Sequence, residues 1–275
     1  MRRDVLILII SCIACIVASA QSRKERFMEA LNAKDMAKAE EILKAWDVAD
    51  ANDPNLYIAY FNYFTVKSRD AVPLVMIGYD KKYSEQALGY ISDGIRQFPT
   101  RFDMRMAKIY MLGELKDYPT FVEEVLNLIV YSDKIKNNWK GEDFTILDYP
   151  EEMFFGAVLD FQQFLFLKKD PSLYKDIFRI SDEMLKYYPN HVQTRLNNST
   201  VYVEQKQFDK SLAELMKGLA IEPANAILQY NLGYVYTQKG DKVNAKKYYE
   251  LAVKNCKEDE EKLKVAAQQR LEALK

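Results

Sequence analysis

Nucleophilic, acid–base or metal chemistry needs histidine, cysteine or facing carboxylates, and this chain offers few. It holds one histidine and three cysteines in 275 residues. His191 follows Tyr187-Tyr188-Pro189-Asn190 and reads as a helix-end residue rather than a base or ligand. One histidine and scattered cysteines make no zinc constellation. The carboxylate pairs Glu123-Glu124 and Glu151-Glu152 are adjacent in sequence, so on a helix they point apart and suit a solvated surface. Neither a glycine-rich phosphate loop nor a Gly-x-Ser-x-Gly elbow is present. The chain therefore reads as non-catalytic, with no cofactor and no metal.

Charge and cysteine content narrow the class further. The formal net charge is −1, which argues against nucleic acid as a ligand. Arg2 and Arg3 precede an apolar run from Val5 to Ala18, and Ala18-Ser19-Ala20 then precedes Gln21. A basic head, a short apolar middle and a small-x-small end describe a signal peptide over residues 1–20, cleaved between Ala20 and Gln21. The run is too short for a comfortable membrane span. Localisation is then periplasmic or secreted. A rival reading cleaves after Ala14 and lipidates Cys15, although Cys12 and Ile13 depart from the usual lipoprotein pattern. Removing residues 1–20 leaves Cys256 alone, so no internal disulfide can form and an apolar core must hold the fold.

Such a core is written into the C-terminal part as one pattern repeated after 34 residues. Leu232, Gly233, Tyr236, Ala245, Tyr249 and Ala252 have Asn198, Ser199, Tyr202, Ser211, Leu215 and Gly218 as their counterparts. Small residues recur where two helices must cross closely, and large ones where the space between them must be filled. Gly240 can close one helix in the left-handed conformation, and Asp241 can cap the next. A self-similar period of this length marks stacked helix-turn-helix units, none of which buries its apolar surface alone. Pro189 and Pro223 share the frame.

The rest of the chain follows with weaker matches. Two helices over Met28 to Trp46 break at Asn32-Ala33-Lys34, and Asp53-Pro54 starts an aromatic helix carrying Tyr57, Tyr60, Phe61, Tyr63 and Phe64. These rings fill a core or form a ligand-facing strip. Ala87, Ile91 and Gly94 mark another second helix, then Phe102 to Leu115 and a mate with Phe121, Val125 and Leu128. Phe154 to Phe166 is paired with Ile177, Ser181 and Met184. Insertions fall near 70–80, where Leu74, Met76 and Ile77 fold back or face a partner, and near 136–157. In the second, Trp139 either pins its own loop or anchors a partner. A one-sided helix over 259–274, with Leu263, Ala267, Leu271 and Leu274 on one stripe, suits an exposed end.

These residues resemble the tetratricopeptide repeat, with 192–225 and 226–259 as the clearest copies, in the manner of secreted bacterial members. The resemblance implies an all-α, right-handed solenoid over 21–275 whose first helices line a concave groove for a protein or peptide. Carried onto the family's ligand-facing positions, the first copy offers Gln193, Leu196, Asn197, Thr200, Val203 and Glu204. The second offers Ile227, Tyr230, Asn231, Tyr234, Thr237 and Gln238. None is basic, unlike the version that grips a terminal carboxylate. Asn197, Thr200, Glu204, Tyr230, Asn231, Tyr234 and Gln238 are the partner-binding candidates, suited to an extended peptide or a helix. Rival functions are an envelope-assembly lipoprotein held through Cys15, and a carbohydrate- or nutrient-binding module using Tyr57, Tyr60 or Trp139.

Overall fold

A computed structural model describes residues 22–72 and 78–274. The signal peptide, Cys15 and the apolar trio Leu74, Met76 and Ile77 lie outside the described residues. Thirteen α-helices, and no strand, occur among those described. The contacts of the chain gather into two compact units. Unit 1 takes residues up to Phe121 together with Asn138–Asp148, and unit 2 takes Val122–Asn137 and everything from Tyr149.

In unit 1, α1 (Arg23–Asn32) pairs with α2 (Met36–Ala49), and α3 (Pro54–Asp70) with α4 (Lys81–Gln97), followed by α5 (Phe102–Glu114). Local chemistry starts each helix. Ser22 and Glu25 form a reciprocal capping box on α1. Asp35, Asp53 and Asp80 accept the first free amides of α2, α3 and α4. Each such cap contributes about 1 kcal/mol. Phe27, Leu31, Leu43, Trp46, Leu56 and Tyr63 bury together, and Phe61, Ile91, Met104 and Met111 form a second cluster. On the aromatic helix Phe61 and Tyr63 are buried, while the half-buried Tyr60 stacks on Tyr90 at 4.3 Å and Phe64 continues the ladder at 5.5 Å from Tyr90.

The helix α6 (Tyr118–Lys134) begins in unit 1 and continues in unit 2. Unit 2 then holds α7 (Pro150–Leu167), α8 (Tyr174–Tyr187), α9 (Val192–Glu204), α10 (Phe208–Ile221), α11 (Ala226–Gln238), α12 (Lys242–Asn255) and α13 (Glu261–Glu272). Each first helix packs on its own mate, and α8, α10 and α12 pack on the helix that follows. The second insertion ends earlier than the expected residue 157, because Pro150 fits the first helical turn and Glu151 and Glu152 favour its positive end. Likewise, α13 is shorter than 259–274, being led in by a 3-10 turn over Glu258–Glu260.

The repeat signature is satisfied literally. Leu232, Ala245, Tyr249 and Ala252 are fully buried. A Cβ built on Gly233 would meet the Tyr249 ring at 2.7 Å, so only glycine lets α11 and α12 approach this closely. The earlier copy reaches the same crossing with two small hydroxyl residues, Ser199 and Ser211, whose oxygens lie 2.7 Å apart.

One turn recurs through the chain. Asp35, Asp117, Gln207 and Asp241 each donate their amide N–H to the carbonyl five residues back, closing the preceding helix. The left-handed residue before them is Gly240 in one case, but Lys34, Lys116 and Lys206 in the others, at φ 57°, 61° and 57°. An L side chain there costs roughly 1–2 kcal/mol. Lys206→Gly is therefore expected to raise stability by about 0.5–1 kcal/mol, after the greater freedom glycine gives the unfolded chain. Urea unfolding checks this, and an unchanged or lowered midpoint contradicts it.

Candidate functional site

Two successive first helices of unit 2, α7 and α9, wall a cavity of about 480 Å³ floored in part by Ile177 of α8. Leu159, Gln162, Gln163, Phe166 and Leu167 come from α7, and Gln193, Asn197, Thr200 and Val201 from α9. These spacings are helical neighbours on one stripe of each helix. The volume lies within the ordinary range for ligand pockets, about 300–1,000 Å³.

A directed set of hydrogen bonds runs from this wall into the core. Gln193 donates to Asn197 Oδ1 at 3.3 Å, and Asn197 Nδ2 donates to Gln162 Oε1 at 3.1 Å. Gln162, 1 % exposed, donates in turn to Ser181 Oγ at 2.6 Å and to the Ile177 carbonyl at 3.3 Å. A buried amide with both ends engaged is held in one orientation. On the apolar side, Phe166 stacks on Tyr174 at 6.0 Å. Burial raises the Tyr174 hydroxyl pKa, and the Glu204 and Asp170 carboxylates add to it.

Of the residues expected to meet a partner, Asn197 and Thr200 line this cavity, as does Gln193. Glu204 and Gln238 are exposed at the ends of α9 and α11. Leu196, by contrast, is buried in the repeat core. The second copy is engaged by the chain itself. Tyr230 lies 5.5 Å from the Tyr249 ring and raises the pKa of Arg270 through a side-chain hydrogen bond. Arg270, on α13, also lies over the Tyr234 ring at 5.8 Å. Asn231 donates to its own helix at Ile227 O, 2.8 Å away. A guest at α11 would meet the exposed Arg270 side chain over Tyr234, whereas no charged side chain lines the α7/α9 cavity.

Trp139 belongs to unit 1 and has no exposed surface. It packs on Phe102 at 5.3 Å and under Arg105 at 5.5 Å, so it pins its loop and presents nothing to a partner. Arg101, fully buried, is bidentate to Asp103 and reaches the Glu142 carbonyl of the same loop.

The walls contributed by α7 are absent from the expected set. They were within reach: stepping 34 residues back from Gln193, Leu196, Asn197 and Thr200 gives Leu159, Gln162, Gln163 and Phe166. The signal for that step is Pro189, which stands in the same relation to Pro223.

His191, at the N-cap of α9, bonds Thr194 Oγ1 through Nδ1 at 2.8 Å and packs on Phe155. Burial pushes its pKa below the ordinary value of about 6.5. The folded state thus holds the imidazole neutral while the unfolded chain takes up a proton. Stability from this group is full above the ordinary value and declines as pH falls through it toward the lower folded value. His191→Asn, which copies the capping Asn225 of the next repeat, should flatten the decline in stability as pH falls below the ordinary imidazole value of about 6.5. An unchanged profile contradicts that assignment.

An all-α fold of helices packed in pairs defines a scaffold of the helical-repeat class. Residues 200–240 match the family described as TPR repeat, and 226–259 match tetratricopeptide repeat. Residues 200–259 thus carry the tetratricopeptide repeat. No curated protein matches by sequence. Among solved structures, YrrB, described as a TPR protein with an unusual peptide-binding site, is 14% identical, with 82% of this chain and 99% of that one covered at TM-score 0.41. MamA from Desulfovibrio magneticus RS-1 is 16% identical, with 74% and 95% covered at TM-score 0.41. A tetratricopeptide repeat protein from Parabacteroides merdae is 14% identical, with 92% and 97% covered at TM-score 0.35. Among the described residues, no helix is long and apolar enough to cross a membrane.

Proposed function

We propose that this chain is an exported, non-catalytic scaffold that holds a protein or peptide partner in the groove between α7 and α9. The observation that carries the reading is the cavity itself, formed by residues at corresponding positions of two successive first helices. Amides and apolar side chains share its walls, a mixture suited to a polypeptide guest. A photo-crosslinking residue at Thr200 should capture a partner from the native host that is not captured from Val48, an exposed position of unit 1. Identical capture from both positions contradicts the reading.

Export is supported by the basic head, the apolar run and Ala18-Ser19-Ala20. Protein recovered from the native host should begin at Gln21, as read by mass spectrometry of its first peptide. A chain beginning at Met1 contradicts export, and a diacylated Cys15 supports the anchored alternative.

A further inference from the structure

The chemistry of the α7/α9 cavity specifies its guest more narrowly than "a peptide". We infer that it takes an internal, extended, uncharged segment bearing one large apolar side chain, and rejects chain termini and charged side chains. The inference rests on the groove reading above and adds the class of ligand.

Three observations carry it. None of the ten residues lining the cavity is charged. A terminal carboxylate or a Lys, Arg, Asp or Glu side chain seated among those ten meets no charged lining group to replace its water, which costs more than burying a neutral amide. The flanking charges are Lys169, over the Phe166 ring at 5.4 Å, and Glu204 at the end of α9. Second, the polar groups of the wall are amides held in place. Gln162 is locked by Ser181 and the Ile177 carbonyl, and it locks Asn197 in turn. With one N–H of Gln193 given to Asn197, the carbonyl oxygen of Gln193 and the exposed amide of Gln163 face a guest with both donor and acceptor capacity. That pairing complements the N–H and C=O of an extended chain, whereas a helix has already satisfied its own backbone groups. Third, the apolar lining is concentrated at Leu159, Phe166 and Leu167, and Phe166 is backed by the Tyr174 ring. An aromatic or branched aliphatic side chain fits against that wall while the amides hold the peptide groups on either side of it.

The test is a selection on the full chain with two displayed libraries of randomised seven-residue segments. In one the segment is internal, flanked by glycine and serine; in the other it ends at a free carboxylate. The expected result is enrichment of internal segments with Phe, Tyr, Leu or Ile at one position and no charged residue beside it. Their affinity should fall at least tenfold for Leu159→Glu and for Thr200→Arg, two changes on the cavity wall that leave the helical circular dichroism unchanged. Enrichment only from the free-carboxylate library, or with a charged anchor residue, overturns the ligand class while leaving the groove reading standing. No enrichment from either library also overturns it. Equal capture from Thr200 and Val48 is the separate outcome that removes the groove reading itself.

Discussion

Replacing Trp139 by alanine is expected to destabilise unit 1 by about 3–5 kcal/mol, the usual cost of emptying a large buried aromatic site. The indole is fully buried against Phe102 and Arg105, and the backbone around it is tied down on both sides. Lys140 donates to Thr100 O at 2.9 Å, Phe102 donates to Lys140 O at 3.1 Å, and Leu147 donates to Trp139 O at 2.9 Å. Removing the ring leaves a void beneath a segment whose ladder bonds depend on it. Amide hydrogen exchange over 140–147 should therefore accelerate with the loss of global stability. Partner binding through the α7/α9 cavity should persist under conditions where the variant stays folded. A loss under 1 kcal/mol, or loss of partner binding in a stable variant, contradicts the pinning role.

The second large effect lies where α11 crosses α12. Tyr249→Ala should cost about 3–5 kcal/mol in unit 2, because the ring is fully buried between the two helices. Gly233→Ala should cost about 1–2 kcal/mol, with overpacking against that ring partly offset by the better helix propensity of alanine. The sign of the second change depends on the first. Once Tyr249 is alanine, the 2.7 Å approach no longer exists, and Gly233→Ala should become neutral or stabilising by up to about 1 kcal/mol. A double-mutant cycle by urea unfolding should thus give a coupling of about 2 kcal/mol. Additive costs would mean that glycine at 233 is there for some reason other than the crossing distance.

What could be read from the sequence was what short-range chemistry decides. Gly240 and Asp241 end one helix and cap the next as their side chains dictate. The buried signature of the last repeat follows from its spacing alone, as does the break at Asn32-Ala33-Lys34, where Lys34 takes the left-handed conformation. Trp139 could not be decided in the same way, since its burial depends on Phe102 and Arg105, far from it in sequence. Tyr230 and Tyr234 sit on the expected stripe of α11, yet Arg270 of the capping helix reaches them, a contact that no local pattern encodes. The α7 wall is a different case. Gln162 and Gln163 have no signature of their own, and only the frame shared by Pro189 and Pro223 identifies them as groove positions.

The central claim is that the α7/α9 cavity is where this scaffold meets its partner. The most direct measurement is the affinity of the partner captured at Thr200 for the wild-type chain and for Leu159→Glu, which puts a charge on the neutral wall. The account predicts at least a tenfold loss of affinity with unchanged unfolding midpoint. Equal affinity for the two proteins would place the partner elsewhere on the chain and contradict it.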